Sequence, residues 1–382
     1  MSNSAKKEYL QEIRKRYFLA TKAEKTLILY EFSTVCNLNR KYCIRLIRKK
    51  ETPVNKRKGK PKKYHSSTLL DFLKDLWVVT NLACSKRLKA AIPLWLPYYH
   101  LHKNNCLTPK DLKLIEEISP RTIDRLLHRL KSKYKKFGLS TTKPGSLLKK
   151  QVPIKLNQWD ETRPGFIEAD TVAHCGSSLS GQFVYTLNIV DIASGWTEQR
   201  ALWGKGQRGV FEALKNITKH LPFKVLGFDC DNGGELLNYM LLEYFTHRKN
   251  PVQYTRSREY KKNDNAHVEE KNWTHIRQFI GYQRFDKIET VAMLNELYLT
   301  EWRLYLNFFI PSFKLIDKKR DGSKIIKWFD KPKTPYQRLI DSPSISSAKK
   351  KELTQIFNSL DPFLLEKNMK NKIKNILKLY ET

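Results

Sequence analysis

Three short acidic motifs hold the residues best suited to chemistry. Asp170 lies in the run Glu168-Ala169-Asp170-Thr171, Asp231 in Asp231-Asn232-Gly233-Gly234-Glu235, and Glu269 in Asp264-Asn265-Ala266-His267-Val268-Glu269. Carboxylates that converge from distant parts of a chain can hold two Mg²⁺ ions about 3.5–4 Å apart, clamping the attacking and leaving oxygens of a phosphoryl transfer. Mg²⁺ suits that work because it takes one or two carboxylates plus substrate phosphates rather than an all-protein cage. The chain carries a formal net charge of +34. The phosphate such a centre would meet is therefore a nucleic-acid backbone.

Each acid falls where a secondary-structure element would fix it. Pro164-Gly165 precedes residues 166–172, whose alternation predicts a strand with Glu168 and Asp170 on one face. Residues 183–190 continue as a second strand, and Asp191 ahead of Ala193-Ser194-Gly195 reads as a turn cap rather than a further ligand. Residues 209–220 predict a helix and 224–231 a buried strand. Glycines after Asp231 give a sharp turn that lets a phosphodiester approach closely. Glu235 is placed to contact DNA or to cap a helix over 236–247. Residues 255–264 are polar and basic and predict a loop over the site. Asp264-Asn265 would cap the helix that begins near Ala266, from which Glu269 or Glu270 supplies the third carboxylate. Trp273 and Arg277 follow Glu269 at i+4 and i+8, one above another if the helix is regular.

Together these runs resemble the catalytic core of the retroviral-integrase-type DDE transposases, in particular those of bacterial insertion sequences, over about residues 159–290. Asp170-Thr171, Asp231-Asn232-Gly233 and Asp264-Asn265-Ala266-x-x-Glu269 stand in the family's order and close to its spacing. Singly they are weak signals; jointly they are specific. The resemblance implies an α/β RNase H-like core with a mixed sheet inside a multidomain α+β protein. It selects Asp170, Asp231 and Glu269 as catalytic and metal-holding residues, with Asn272 and Thr274 agreeing with the register that prefers Glu269 to Glu270. It implies two Mg²⁺ ions, with Mn²⁺ able to substitute. The implied activity is DNA cleavage at the ends of a mobile element and transfer of the exposed 3′-hydroxyl into target DNA. Family members often have a basic residue seven positions after the glutamate. Here that position is Ile276, which leaves Lys271 or Arg277 for the DNA contact.

The positive charge is concentrated in the first third of the chain, ahead of a nearly neutral core. Residues 6–19 and 22–35 have helical apolar spacing, and a short turn at Cys36-Asn37-Leu38-Asn39 leads to a basic helix. Its Arg40, Lys41, Arg45 and Arg48 would face outwards, as a helix-turn-helix unit over residues 1–50 requires of the helix that enters a major groove. Residues 51–65 form a basic linker in which Lys58-Gly59-Lys60-Pro61 resembles the extended hooks attracted to narrow A·T-rich minor grooves. A second helix-turn-helix-like domain is expected over 66–140. There Ser119 and Pro120 start a helix with Arg121, Arg125 and Arg129 at i, i+4 and i+8 along one ridge. A linker over 141–158 then leads into the core. Residues 291–382 read as a β-hairpin with an Asp321-Gly322 turn, followed by helices.

Composition narrows the classes further. A 40% hydrophobic content with 12% aromatics supports a sizeable core. No apolar stretch has the length of a membrane span, and the start lacks the apolar segment of a signal peptide. The six cysteines include no Cys-x-x-Cys pair, so reduced cytoplasmic thiols are expected and zinc is not; the resemblance implies a bacterial cell and a place near its nucleoid. The expected partner is double-stranded DNA, both terminal repeats and target, bound by a homo-oligomer, with no membrane role. A retroelement integrase and a non-catalytic DNA-binding regulator derived from a transposase are the competing readings.

Overall fold

The structure, a computed structural model, describes residues 2–49, 63–103, 107–134, 161–230, 233–256 and 266–381. Lys58, Lys60 and Asp231 therefore lie outside the described residues, as do most of the two linkers. The chain divides into a unit up to Lys63 and a unit from Tyr64 onward.

In the first unit, α1 (Asn3–Leu19), α2 (Lys22–Cys36) and α3 (Arg40–Arg48) pack around Ile13, Tyr17, Ile28, Leu29, Phe32, Cys36, Cys43 and Ile47. Thr21 and Glu24 form a capping box that starts α2, and Asn39 caps α3 through its bond from the Lys41 N–H at 2.9 Å. Between them Asn37 takes a left-handed conformation with φ 51°, which lets the chain reverse in three residues. Arg40, Lys41, Arg45 and Arg48 are all exposed on α3.

The second unit begins with α4 (Ser67–Val79), α5 (Ser85–His102), α6 (Pro109–Glu117) and α7 (Pro120–Tyr134). α5 runs through Pro93 and Pro97, each of which removes a helical hydrogen bond. Burial of Leu88, Ala91, Ile92, Leu94, Trp95 and Tyr99 holds it in place. Trp95 stacks edge-on against Tyr305, Phe309 and Phe363 and donates its indole N–H to the Phe309 carbonyl at 3.1 Å. These four helices thus share one hydrophobic core with the sheet and the C-terminal helices.

The sheet is built from β1 (Phe166–Ala173), β2 (Val184–Asp191) and β3 (Thr197–Trp203), then α8 (Gln207–His220), β4 (Gly227–Cys230), α9 (Tyr239–Thr246) and β5 (Gln253–Arg256). Its order is β3-β2-β1-β4-β5. The first three strands form an antiparallel meander, and β4 and β5 add in parallel beside β1. This is a mixed sheet of the RNase H-like type. Gly165, with φ +125°, turns the chain into β1; a Cβ there would lie 2.5 Å from the Lys224 carbonyl oxygen.

Beyond the sheet, α10 (Ala266–Lys271) passes into π turns over Asn272–Arg277 and then into α11 (Gln278–Ile280). α12 (Glu289–Leu297) similarly continues through π turns at Tyr298–Trp302 and Tyr305–Phe309. A hairpin of β6 (Leu315–Asp321) and β7 (Lys324–Phe329) turns at Gly322. It is followed by α13 (Pro335–Asp341), α14 (Ser347–Asn358) and α15 (Pro362–Lys378). Among the described residues no helix is long and apolar enough to cross a membrane.

Candidate functional site

Strand pleating puts Glu168 and Asp170 on one face of β1, and α10 packs against β1 and β2. Glu168 is what anchors it. Its Oε2 accepts the backbone N–H groups of His267 and Val268, each at 3.0 Å, so the carboxyl satisfies two donors of the first turn. The side chain is 1% exposed. Burial pushes its carboxyl up to about 8, the two backbone bonds pull the other way, and nearby Asp229 and Glu269 raise it further. Asp229 lies opposite Glu168 on β4 and accepts a hydrogen bond from Thr255 at 2.7 Å.

One step along, Asp170 ends a directed chain of amides. Asp170, Asn188 and Gln199 are register partners across β1, β2 and β3. Gln199 Nε2 donates to Asn188 Oδ1 at 2.8 Å. Asn188 Nδ2 then donates to Asn272 Oδ1 at 2.7 Å, and Asn272 Nδ2 to Asp170 Oδ2 at 2.7 Å. The other Asp170 oxygen accepts the Thr171 N–H at 2.7 Å. Asp170 is thereby oriented from two sides and stays partly exposed. Next to it, Thr171 donates to Glu235 at 3.4 Å, and Lys205 lies 3.8 Å from the same carboxylate. Glu235 therefore faces β1, while Asn238 caps α9.

Asn272 opens the π segment, and the wider turns carry the regular helical spacing no further. Trp273 and Arg277 both still reach the ring of Tyr282. Glu269 is exposed. Trp273 is 41% exposed, 6.3 Å from the Tyr282 ring. Arg277 lies over that same ring at 4.7 Å and donates to the Ala173 carbonyl at 2.6 Å, holding the end of β1. Lys271 is buried; loss of hydration pulls its ammonium down to about 8. Arg121, Arg125 and Arg129 form an exposed ridge on α7, remote in sequence from the acids. Asp191 caps the β2–β3 turn as its neighbours suggest, accepting the N–H groups of Gly165 and Ser194 and the Ser194 hydroxyl.

The donor chemistry at β1 and α10 is carboxylate and amide oxygen, which suits a hard cation. Asp170 and Glu269 would be its ligands here. Among the described residues no group of three or more His, Cys, Asp or Glu side chains is placed to hold a metal ion, and Asp231 lies outside them. Asp229 is the register partner of Glu168, and Glu269 follows the Val268 that Glu168 holds, so these acids gather at one end of the sheet. Sequence reasoning passed over Asn188 and Gln199. Their signal is a pair of polar residues inside otherwise apolar strands.

No family model matches the chain. Over 45% of its length it superimposes on 91% of the catalytic core domain of BIV integrase, with TM-score 0.28 and 15% identity. Over 39% it superimposes on 90% of the HTLV-2 integrase catalytic core domain, a structure in complex with magnesium, with TM-score 0.29 and 14% identity. Those scores are too low to bear on activity. In sequence it is 34% identical over 344 residues to the uncharacterized protein y4rM of Sinorhizobium fredii (strain NBRC 101917 / NGR234), covering 88% of this chain and 96% of that one. The chain belongs to the same protein family as y4rM.

Proposed function

We propose that this protein is a metal-dependent DDE transposase of the bacterial insertion-sequence type, cutting DNA at the ends of its element and joining them to target DNA. The observation that carries this reading is a register. Cys230, the residue before Asp231, is the β-sheet partner of Ala169, the residue before Asp170. Neighbouring strands lie about 4.8 Å apart; in this reading Asp231 continues that register, and its carboxylate and that of Asp170 would share a pair of ions. Asn272, three residues after Glu269, is bonded to Asp170, which supports Glu269 as the third member.

In this reading Asp170, Asp231 and Glu269 hold two Mg²⁺ ions, with Mn²⁺ able to replace them. The metal supplies Lewis-acid activation of the attacking oxygen and neutralises charge on the leaving oxygen. The chain's own work is orientation. Asn272, held by Asn188 and Gln199, and the Thr171 N–H set the plane of the Asp170 carboxylate, and Glu168 fixes the angle at which α10 presents Glu269. Glycines 233 and 234 leave room for a phosphodiester. Arg40, Lys41, Arg45 and Arg48 on α3, and Arg121, Arg125 and Arg129 on α7, are the proposed DNA contacts of two helix-turn-helix modules. Lys58 and Lys60 add a minor-groove tether. A homo-oligomer assembled on the element's ends is part of the proposal, as is action on cytoplasmic, nucleoid DNA.

Purified protein and its Asp231→Asn variant, incubated with supercoiled plasmid in Mg²⁺, Mn²⁺ or chelator, test the proposal. Nicking by the wild type alone, and only with metal, is expected. DNA binding without nicking in any metal favours the regulator reading. Nicking by both proteins equally removes Asp231 from the site.

A further inference from the structure

α10 has a second side. Asn272 turns to Asp170, but Ala266, His267, Glu270 and Lys271 line a separate cavity of about 240 Å³, closed by the β2–β3 turn and the base of the β6–β7 hairpin. Neither Asp170 nor Asn272 lines it. Its walls carry four cations, Lys271, Lys314, Lys327 and Arg338, against the single carboxylate of Glu270.

Two of those cations are already committed to the fold. The Lys314 ammonium donates to the carbonyl of Glu161 at 2.7 Å. The terminal nitrogens of Arg338 hold Ser312, the Lys333 carbonyl and Asp330. What remains is telling. Lys271 is 8% exposed, and its ammonium makes no hydrogen bond or ion pair with any described residue. Arg338 Nε is buried without a hydrogen-bond acceptor among them. A desolvated cation is costly unless an anion meets it, and it is the unbonded Lys271 that borders the cavity, whereas Arg338 Nε has no surface open to it. The rings of Phe313 and Phe329, 5.7 Å apart between centroids and tilted by 57°, line the same space and give it an apolar wall. Its volume lies below the ~300–1,000 Å³ of drug-sized pockets, the scale of a single nucleotide unit.

We propose that this cavity is a phosphate subsite, in which Lys271, with Lys327 at the exposed mouth, binds the phosphate oxygens and the attached nucleoside lies against Phe313 and Phe329. Charge-assisted bonds from lysine ammonium groups to such an anion are strong. The phosphate belongs either to a DNA strand or to a free nucleotide. The inference stands whether or not the acids at β1 cut DNA, because binding is read without metal.

The test uses the full chain in chelator, titrated with thymidine 5′-monophosphate, with thymidine as the phosphate-free control, and with labelled oligothymidylate. The monophosphate is expected to raise the melting temperature and thymidine is not. Lys271→Met is expected to weaken monophosphate binding roughly 10- to 100-fold without lowering the stability of the ligand-free protein. Lys327→Ala, at the exposed mouth, is expected to weaken it less and keeps the test open should the buried variant fail to fold. Parallel loss of oligothymidylate affinity assigns the phosphate to a strand; loss confined to the monophosphate assigns it to a free nucleotide. A wild type that no phosphate stabilises, or variants that bind the monophosphate unchanged, overturns the subsite.

Discussion

Replacing Glu168 with glutamine probes how the core carries its buried acid. In the folded chain the carboxyl titrates near 8, and its ordinary value is 4.5. Between those values the folded protein keeps a proton that the unfolded chain has released. The stability linked to Glu168 is therefore fully present below about pH 4.5 and is lost as the pH rises through 8. At 1.36 kcal/mol per pH unit the interval sets an upper limit of roughly 5 kcal/mol, and relaxation around the ionised group brings the expected loss to about 1–3 kcal/mol. Glutamine cannot ionise, and its carbonyl oxygen can accept the same two N–H groups of His267 and Val268. Thermal unfolding of both proteins, metal-free, at about pH 5 and about pH 9 reads the effect. At roughly 2–4 °C per kcal/mol, Glu168→Gln should melt several degrees above wild type at the higher pH and close to it at the lower. A variant less stable than wild type by the same margin at both pH values would refute the reasoning, because it would mean that the native carboxylate is ionised and held by its charge.

Other outcomes follow from the same geometry. Asn272→Ala removes the donor to Asp170 and strands the Asn188 amide; Mn²⁺ affinity by calorimetry and metal-dependent nicking should both fall about 10- to 100-fold. Trp95→Ala should cost about 3–5 kcal/mol in denaturant unfolding and weaken residues 64–382 as one unit, with the helices before Lys63 keeping their own transition. Arg125→Ala should weaken binding to the element's ends in a mobility-shift assay and spare metal-dependent nicking of unrelated plasmid; equal loss of both contradicts a modular division of labour.

Much of the frame around the site is legible in the residues themselves. Alternation around Glu168 and Asp170 marks β1, the apolar run before Asp231 marks β4, and the apolar spacing of 6–19 and 22–35 marks α1 and α2. Each is a local periodicity backed by burial. α5 is not legible, because Pro93 and Pro97 read as breakers and only the tertiary burial of Trp95 and its neighbours overrides them. The Asp170–Asn188–Gln199 row needs the register of three strands, which no single stretch encodes. Nor does any spacing announce the π turns at Asn272, which widen the helix that carries Trp273 and Arg277. Lys271, which looks like a DNA contact beside Glu269, is buried at the wall of a cavity. Helical periodicity says which side of an element is covered, and not what covers it. That is also why the common core of α4–α7 with the sheet escapes a reading by segments.

The central claim is that Asp170 and Glu269 serve one metal-dependent centre for cutting DNA. Its most direct test sets Asp170→Asn, Glu269→Gln and Glu270→Gln beside the wild type in one plasmid-nicking assay with Mg²⁺ or Mn²⁺. The account predicts that the first two lose nicking to the level of the chelated wild type, and that Glu270→Gln, whose carboxylate faces the cavity on the other side of α10, keeps it. Nicking that survives in Asp170→Asn, or that fails in Glu270→Gln while Glu269→Gln remains active, contradicts it.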